Sequence, residues 1–244
     1  MPGRLTFEEF VEATKIIRTK AHLFAFFVEV VAAYGYDRVN FSVRRDSALS
    51  EDDLGFGLIN TYPVIWRAYY VERGFVKIDP VYRRAVGMAP PFRWRDIERE
   101  EDLTQFQIHF MREGEAAGLY NGVGIPLRGP RMQIAGIALA SSVRHIGPTV
   151  SLEVLSALCD HFYTVYYRIC GSLENVYYGA KLSERECEVL IRAAIGRTDA
   201  ETAIVLGIAR DTIKSHFRRI FIKLGVTNRG AAIAQALKYG LIDL

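Results

Sequence analysis

Between Tyr62 and Trp94 the sequence sets out groups whose chemistry complements a small amphipathic molecule. The run reads Tyr62-Pro63-x-x-Trp66-x-x-x-Tyr70, followed by Gly74, by Asp79-Pro80 and by Trp94. Trp66 and Tyr70 stand four apart, so on a helix they point the same way. Tyr62, Trp66 and Tyr70 each join an apolar body to a hydrogen-bonding tip, while an ionised Asp79 only accepts. Around an enclosed apolar hole, such groups suit a ligand that carries a carbonyl and an N–H. They also have plainer uses. An aromatic stripe is often core, and an Asp before Pro is often a turn residue or a helix cap.

A second chemistry gathers near the C-terminus. Residues 181–244 hold 11 basic and 7 acidic side chains, whereas the preceding 180 residues hold 20 and 21. The net charge of +3 therefore comes from the C-terminal end, where a polyanion would be met. From Arg210 to Leu224, Ile213, Phe217, Ile220 and Leu224 make an inward stripe. Arg210, Lys214 and Arg218 recur at four-residue steps on another face, with Ser215 and Arg219 beside them. A short helix, a tight turn and this basic helix fit a helix-turn-helix whose second helix lies in the DNA major groove. Lys and Arg would neutralise phosphates, and Arg, Lys and Ser reach base edges. A charged, solvated face on a helical bundle gives the same periodicity.

The elements that must position these groups can be read from periodicity. Thr6–Tyr34 reads as one helix, Arg38–Arg44 as a strand and Gly55–Thr61 as its neighbour. Pro63 opens a helix over Val64–Arg73, and a short helix follows Asp79-Pro80 until Pro90-Pro91. Leu103–Ala117 is helical, Gly122–Leu127 and Gln133–Ser142 are buried strands, and Ser151–Cys170 is a long helix with an apolar side. This order predicts an α/β fold, an N-terminal α-β-α sandwich with a mostly antiparallel sheet. After a linker at 171–181 the pattern turns all-α, with four short helices over 182–244. Ser183-x-x-Glu186 and Thr198-x-x-Glu201 are capping boxes that open the first two.

Other classes find little support. Three cysteines without CxxC spacing argue against a disulfide framework or a thiolate zinc site. Five scattered histidines show no ligand spacing, and there is no G-x-S-x-G elbow, so an enzyme built on Asp79, His109, His145 or His161 lacks a motif. No metal and no cofactor are expected. The most apolar N-terminal stretch, Leu23–Ala33, is short and carries Glu29, so no membrane partner and a cytoplasmic location are expected.

Two resemblances sharpen this reading. LSERECEVL at 182–190, Ala194-x-Gly196-Arg197-Thr198, Glu201 and DTIKSHFRRIFIKLGV at 211–226 with Asn228-Arg229 resemble the LuxR-type DNA-binding domain. That resemblance implies double-stranded DNA as partner, bound by a homodimer at a two-fold symmetric operator. The positions matching its recognition helix are Thr212, Lys214, Ser215, Arg218 and Arg219, with Lys223 near its end. The Tyr62–Tyr70 pattern, the Trp66–Asp79 spacing, Trp94 and GLYNGVGIP at 118–126 resemble the autoinducer-binding domain of quorum-sensing receptors. The implied effector is an N-acyl-homoserine lactone. Trp66 would donate to the lactone carbonyl, Asp79 accept the amide N–H, Tyr62 donate to the acyl carbonyl, and Tyr70 and Trp94 wall the site. A phosphorylated receiver domain would need clustered acidic residues near the end of its first strand, an acceptor Asp and a later Lys, and no such acidic pair stands at that place. The expected division is 1–170 for ligand binding and dimerisation and 182–244 for DNA.

Departures from the two patterns carry their own expectations. Ala209 stands where Ser or Thr usually caps the recognition helix, a loss of about 1 kcal/mol. Asp211 would recover part of this through the helix dipole. Thr202-Ala203 replaces a bulkier aliphatic residue and questions the packing of the second helix. IAGIALA at 134–140 lacks the hydroxyl that often gives the acyl carbonyl a second partner. Gly114, Gly124 and Gly136 either leave room for a branched or aromatic acyl group or serve backbone packing. The helix at 151–170 is either a dimer interface or core. A third hypothesis, DNA binding with a degenerate pocket, leaves the Tyr62, Trp66, Asp79 set without a purpose.

Overall fold

The computed structural model describes residues 4–46, 49–86, 90–129, 133–144, 150–170 and 182–244. They form two compact units, the N-terminal helices and strands in one and the C-terminal helices in the other. The expected linker at 171–181, like His145, lies outside the described residues.

The first expected helix is two. Thr6 caps α1 (Phe7–Thr14) with a full capping box to Glu9. Thr19, in extended backbone, caps α2 (Lys20–Ala33) by accepting the N–H of His22. A second cap restarts the helix, and Ile16, assigned to the apolar stripe, falls in the break and is 77% exposed. Strand β1 (Arg38–Arg45) pairs antiparallel with β2 (Gly55–Asn60), Asn40 facing Asn60 and Phe41 facing Ile59. Helix α3 (Val64–Glu72) and α4 (Pro80–Val86) follow as expected. The two-residue strand β3 (Phe92–Arg93) and α5 (Trp94–Glu100) were not expected. A two-residue strand offers no periodicity to read. Then come α6 (Gln105–Ala116), β4 (Tyr120–Gly129), β5 (Gln133–Ser141) and α7 (Leu152–Ile169).

The sheet order is β2-β1-β5-β4-β3. Strand alternation sorts its residues onto two faces. Val39, Phe41 and Val43 of β1, Val123, Ile125 and Leu127 of β4, and Ala135, Ile137 and Leu139 of β5 meet α1, α2 and α7 in the main core. There Phe41 packs edge-on against Phe162 and Tyr166, centroids 5.1 and 5.0 Å apart. Truncating such a ring costs about 3–5 kcal/mol. The apolar stripe of α7 (Leu155, Leu158, Phe162, Val165) is buried here, so it is core. The opposite face of the sheet packs against α3 and α6 through Ala138, Ala140, Trp66, Tyr70 and Phe110. Helices therefore cover both faces of the sheet.

The second unit is α8 (Glu184–Ala194), α9 (Asp199–Leu206), α10 (Arg210–Leu224) and α11 (Arg229–Lys238). Both expected capping boxes are present. Gly207 (φ 65°) ends α9 in the left-handed region, where a Cβ is disfavoured, and lets α10 begin three residues later. The expected stripe, Ile213, Phe217, Ile220 and Leu224, lies in this unit's own core. Thr202 and Ala203 are buried, so the second helix packs with small side chains. The Thr202 hydroxyl finds no partner there.

Candidate ligand cavity and DNA-binding surface

A cavity of about 400 Å³ lies on the α3/α6 face of the sheet. Tyr62, Trp66, Tyr70, Asp79 and Trp94 all line it. Pro63 stands at the head of α3, and the four-residue spacing turns Trp66 and Tyr70 inward, 7 and 8% exposed. The aromatic rings also form a cluster: Trp66 and Phe110 lie 5.7 Å apart, Phe75 and Phe110 5.1 Å. The stripe is thus core by its ring bodies and cavity wall by its polar tips.

Those tips are arranged asymmetrically. Asp79 is both cap and wall. Its Oδ1 accepts the backbone N–H of Val81 at 2.8 Å and of Tyr82 at 3.1 Å, fixing the start of α4. Its Oδ2 accepts the Tyr70 hydroxyl at 2.8 Å. Burial raises the Asp79 carboxyl to about 6, and the three donors hold back a larger rise. Burial and the nearby Asp79 carboxylate push the Tyr62 and Tyr70 hydroxyls above the usual phenol range, so both stay neutral donors. The Tyr62 hydroxyl has only a long contact to the Ala138 carbonyl, 3.5 Å. The Trp66 indole N–H has no acceptor among the described residues and is not sealed off, whereas that of Trp94 is sealed and unpaired. Among the side chains expected at the site, the Tyr62 hydroxyl and the Trp66 indole thus remain to donate, and Asp79 Oδ2 has capacity to accept.

Three glycines were open to two readings. A Cβ on Gly124 would stand 2.4 Å from Cζ of Phe92, so Gly124 makes room for that ring. Its neighbour Gly122 does the same for Trp94, at 1.9 Å. Gly114 and Gly136 border the cavity without such a clash. Sequence reasoning missed Asn40, Ser42, Phe56, Asn60 and Phe110, which also line it. The signal was present in β1, where polar Asn40 and Ser42 alternate with Val39, Phe41 and Val43 on a strand with neighbours on both sides. Among the described residues no group of three His, Cys, Asp or Glu could hold a metal ion. Nor is any helix long and apolar enough to cross a membrane.

In the C-terminal unit, Thr212, Lys214, Arg218 and Arg219 are exposed on α10 and Ser215 is half-buried. Lys214 pairs with Asp211 at 3.0 Å, and that ammonium holds the Asp211 carboxyl below its ordinary range. Ala209 supplies no side-chain cap. Lys223 is tied inward: its Nζ lies 2.7 Å from Glu186 Oε2, on a side chain 2% exposed. Burial alone would raise the Glu186 carboxyl, but Lys223 and the Ser183 N–H outweigh it and leave it lowered. Arg229 bridges α11 to Asp199 at 2.7 Å and lies over the Phe217 ring.

The autoinducer binding domain family matches residues 19–164, and the family of bacterial regulatory proteins, luxR family, matches residues 180–236. The chain is 28% identical over 186 residues to the HTH-type transcriptional regulator y4qH of Sinorhizobium fredii, covering 76% of this chain and 57% of that protein. It is 29% identical over 240 residues to the quorum sensing-dependent transcriptional regulator RpaR of Rhodopseudomonas palustris, covering 97 and 94%. Its fold is similar to that of Escherichia coli SdiA, with a TM-score of 0.67, 21% identity and 98% of each chain covered. The matched luxR family is one of regulatory proteins and RpaR is a transcriptional regulator, which removes the enzyme alternative. The first match alone spans more than half of the sequence, so the chain belongs to the LuxR-type quorum-sensing transcriptional regulators, with an autoinducer-binding domain followed by a luxR-family DNA-binding domain.

Proposed function

We propose that the chain is a receptor for an N-acyl-homoserine lactone that binds a palindromic promoter element as a homodimer. Residues 1–170 take the ligand and dimerise, 171–181 link, and 182–244 bind DNA. The observation that carries this reading is the pairing of a free Trp66 indole N–H with a buried Asp79 whose Oδ2 has capacity to accept. Trp66 donates to the lactone carbonyl, Asp79 accepts the amide N–H, and Tyr62 donates to the acyl carbonyl. Tyr70 holds Asp79 in place and, with Trp94, walls the cavity. Each neutral hydrogen bond is worth about 0.5–1.5 kcal/mol in such a site. Gly114 and Gly136 add no side-chain volume to the cavity they line, which favours a branched or aromatic acyl group over a long straight one.

Dimerisation sets two recognition helices about 34 Å apart, one turn of B-DNA. Thr212, Lys214, Ser215, Arg218 and Arg219 meet the groove, and Lys223, paired to Glu186 and partly exposed, completes the DNA-binding set near the helix end. The test is calorimetric titration of the full-length protein with butanoyl, hexanoyl, octanoyl, 4-methylpentanoyl and phenylacetyl homoserine lactones. Micromolar or tighter binding of at least one, weakened in Trp66→Phe with the fold intact, is the expected result. No binding at millimolar ligand would overturn the reading.

A further inference from the structure

The sheet side of the cavity holds polar atoms that the roles above leave idle. β1 is an interior strand covered on both faces, and such strands are commonly apolar on both. Its cavity face instead presents Asn40 and Ser42, and β2 adds Asn60, whose Cα pairs with that of Asn40. The hydrogen bonds among them show which atoms remain over. Ser42 Oγ accepts the N–H of Gly57 at 2.9 Å and donates its own proton to Asn40 Oδ1 at 3.1 Å. Asn60 Oδ1 accepts the N–H of Tyr62 at 2.9 Å. A backbone N–H only donates, so the orientation of the Asn60 amide follows directly, while that of Asn40 is the one in which Ser42 donates to Oδ1.

Both amides thus have their oxygens engaged and their Nδ2 groups left over. Neither Nδ2 donates to any described residue, neither is fully buried, and both side chains line the cavity. Asn40 is only 9% exposed, and a near-buried donor without an acceptor calls for a water or a ligand atom. The two amides converge at Gly57 (φ +62°), where a Cβ would stand 3.1 Å from Asn60 Nδ2 and 3.9 Å from both Nδ2 and Oδ1 of Asn40. Glycine both adopts that backbone and leaves the gap between them open. Their position relative to the ligand follows from register. Asn40 pairs with Ala138 of β5, whose carbonyl lies by the Tyr62 hydroxyl. Adjacent strands are about 4.8 Å apart, so the spare donors sit within a few atoms of where Tyr62 would hold the acyl carbonyl.

We propose that Asn40 and Asn60 form a specificity subsite that donates hydrogen bonds to an oxygen carried on the acyl group near its amide. This rests on the acyl-homoserine lactone reading above. The two donors take the place of the hydroxyl that β5 lacks, but from the other side and toward a second oxygen. The acyl group is then oxygen-substituted, an oxo or hydroxy acyl chain.

The experiment uses the full-length protein and matched probes: hexanoyl and octanoyl homoserine lactones, each unsubstituted, 3-oxo and 3-hydroxy. Calorimetry should show at least one oxygenated probe bound about three- to tenfold tighter than its plain partner. In Asn40→Leu, which keeps the branching and removes both donors, that ratio should fall toward one. Asn60→Asp keeps the acceptor for the Tyr62 N–H but replaces the donors, so there the ratio should drop below one. It serves as the second variant if Asn40→Leu fails to fold. Preference for plain chains in the parent protein, or an unchanged ratio in a folded variant, overturns the subsite and leaves the receptor reading standing. Failure of every lactone, including those tested above, overturns both.

Discussion

On the proposed reading, changing pH between 5 and 7.5 isolates the contribution of Asp79 to ligand binding. Its carboxyl titrates near 6 in the free protein because burial penalises the ion. A ligand amide N–H needs the ionised form as acceptor, so the complex favours that form and carries a lower value. If the complex titrates below 5, affinity at pH 5 is about tenfold weaker than at pH 7, since one unit corresponds to 1.36 kcal/mol. Stability of the free protein runs the other way. The folded value lies above the unfolded value of 3.8, so the stabilisation is fully present below pH 3.8 and is lost as pH rises through about 6. The loss amounts to about 3 kcal/mol for a rise of this size. The free protein should therefore weaken over the same interval in which it binds ligand better. Asp79→Asn removes the titration. It keeps an oxygen for the α4 cap but puts N–H donors where Tyr70 and the ligand need an acceptor. Losing a charge-assisted bond of about 1.5–3 kcal/mol weakens binding ten- to a hundredfold at pH 7 and flattens the pH profile. Calorimetry in two buffers of different ionisation enthalpy reads the affinity and the proton released. Equal affinity at pH 5 and 7 in the parent protein, or a slope that survives in Asp79→Asn, would refute this account.

Lys214→Ala and Arg218→Ala should each weaken operator binding and lower the slope of log K against log salt by about one, read by anisotropy. Lys223→Ala should instead lower the melting of the C-terminal domain by about 1–2 kcal/mol, discounted because Lys223 is partly exposed, since it strands Glu186. Thr202→Val should stabilise that domain by about 1 kcal/mol in urea unfolding, because it replaces an unpartnered buried hydroxyl with a methyl of the same shape. Gly122→Ala should cost at least about 1–3 kcal/mol and displace Trp94, seen as lost soluble yield or lost ligand binding. Saturating lactone, at about a hundred times Kd, should stabilise the N-terminal domain by about 2.7 kcal/mol and leave the C-terminal transition where it was, followed by calorimetric melting.

The sequence displayed this site unevenly, and the reasons are physical. The C-terminal unit was almost fully legible because three of its four described helices announce their own start and α10 is marked by its apolar stripe. Ser183, Thr198 and Asn228 cap through side chains, and Gly207 and Gly225 end helices in left-handed backbone. The long N-terminal pattern hid a break, because Thr19 caps without an acid three residues on and the apolar spacing runs through it. Tyr62, Trp66, Tyr70 and Asp79 could be gathered because a helical repeat and a cap place them locally. Asn40 and Asn60 could not be joined to them without strand register, which is set across β1, β2 and β5 by residues distant in sequence. The competing uses of Asp79 and of the aromatic stripe were not real alternatives. One carboxylate caps with Oδ1 and faces the cavity with Oδ2, and one set of rings packs with its faces and hydrogen-bonds with its tips.

The two faces of the sheet suggest how a ligand can act as a switch. The α1, α2 and α7 side is filled by aromatic and aliphatic side chains and needs nothing further. On the other face α3 and α6 are built around a hole, and its wall includes a buried carboxylate without a basic partner and an indole N–H without an acceptor among the described residues. Those are costs that a molecule with one N–H and two carbonyls removes together. On the proposed reading, ligand binding acts on the stability of one layer of one domain. The C-terminal unit has its own core around Ile213, Phe217, Ile220 and Leu224, so the ligand has no missing contact to supply there. On the proposed reading, control of DNA binding then lies in whether two recognition helices are held at operator spacing, not in whether each is folded. Monomeric C-terminal domain should accordingly bind half-sites weakly and without regard to ligand, while the full-length dimer gains its affinity from joining two such contacts.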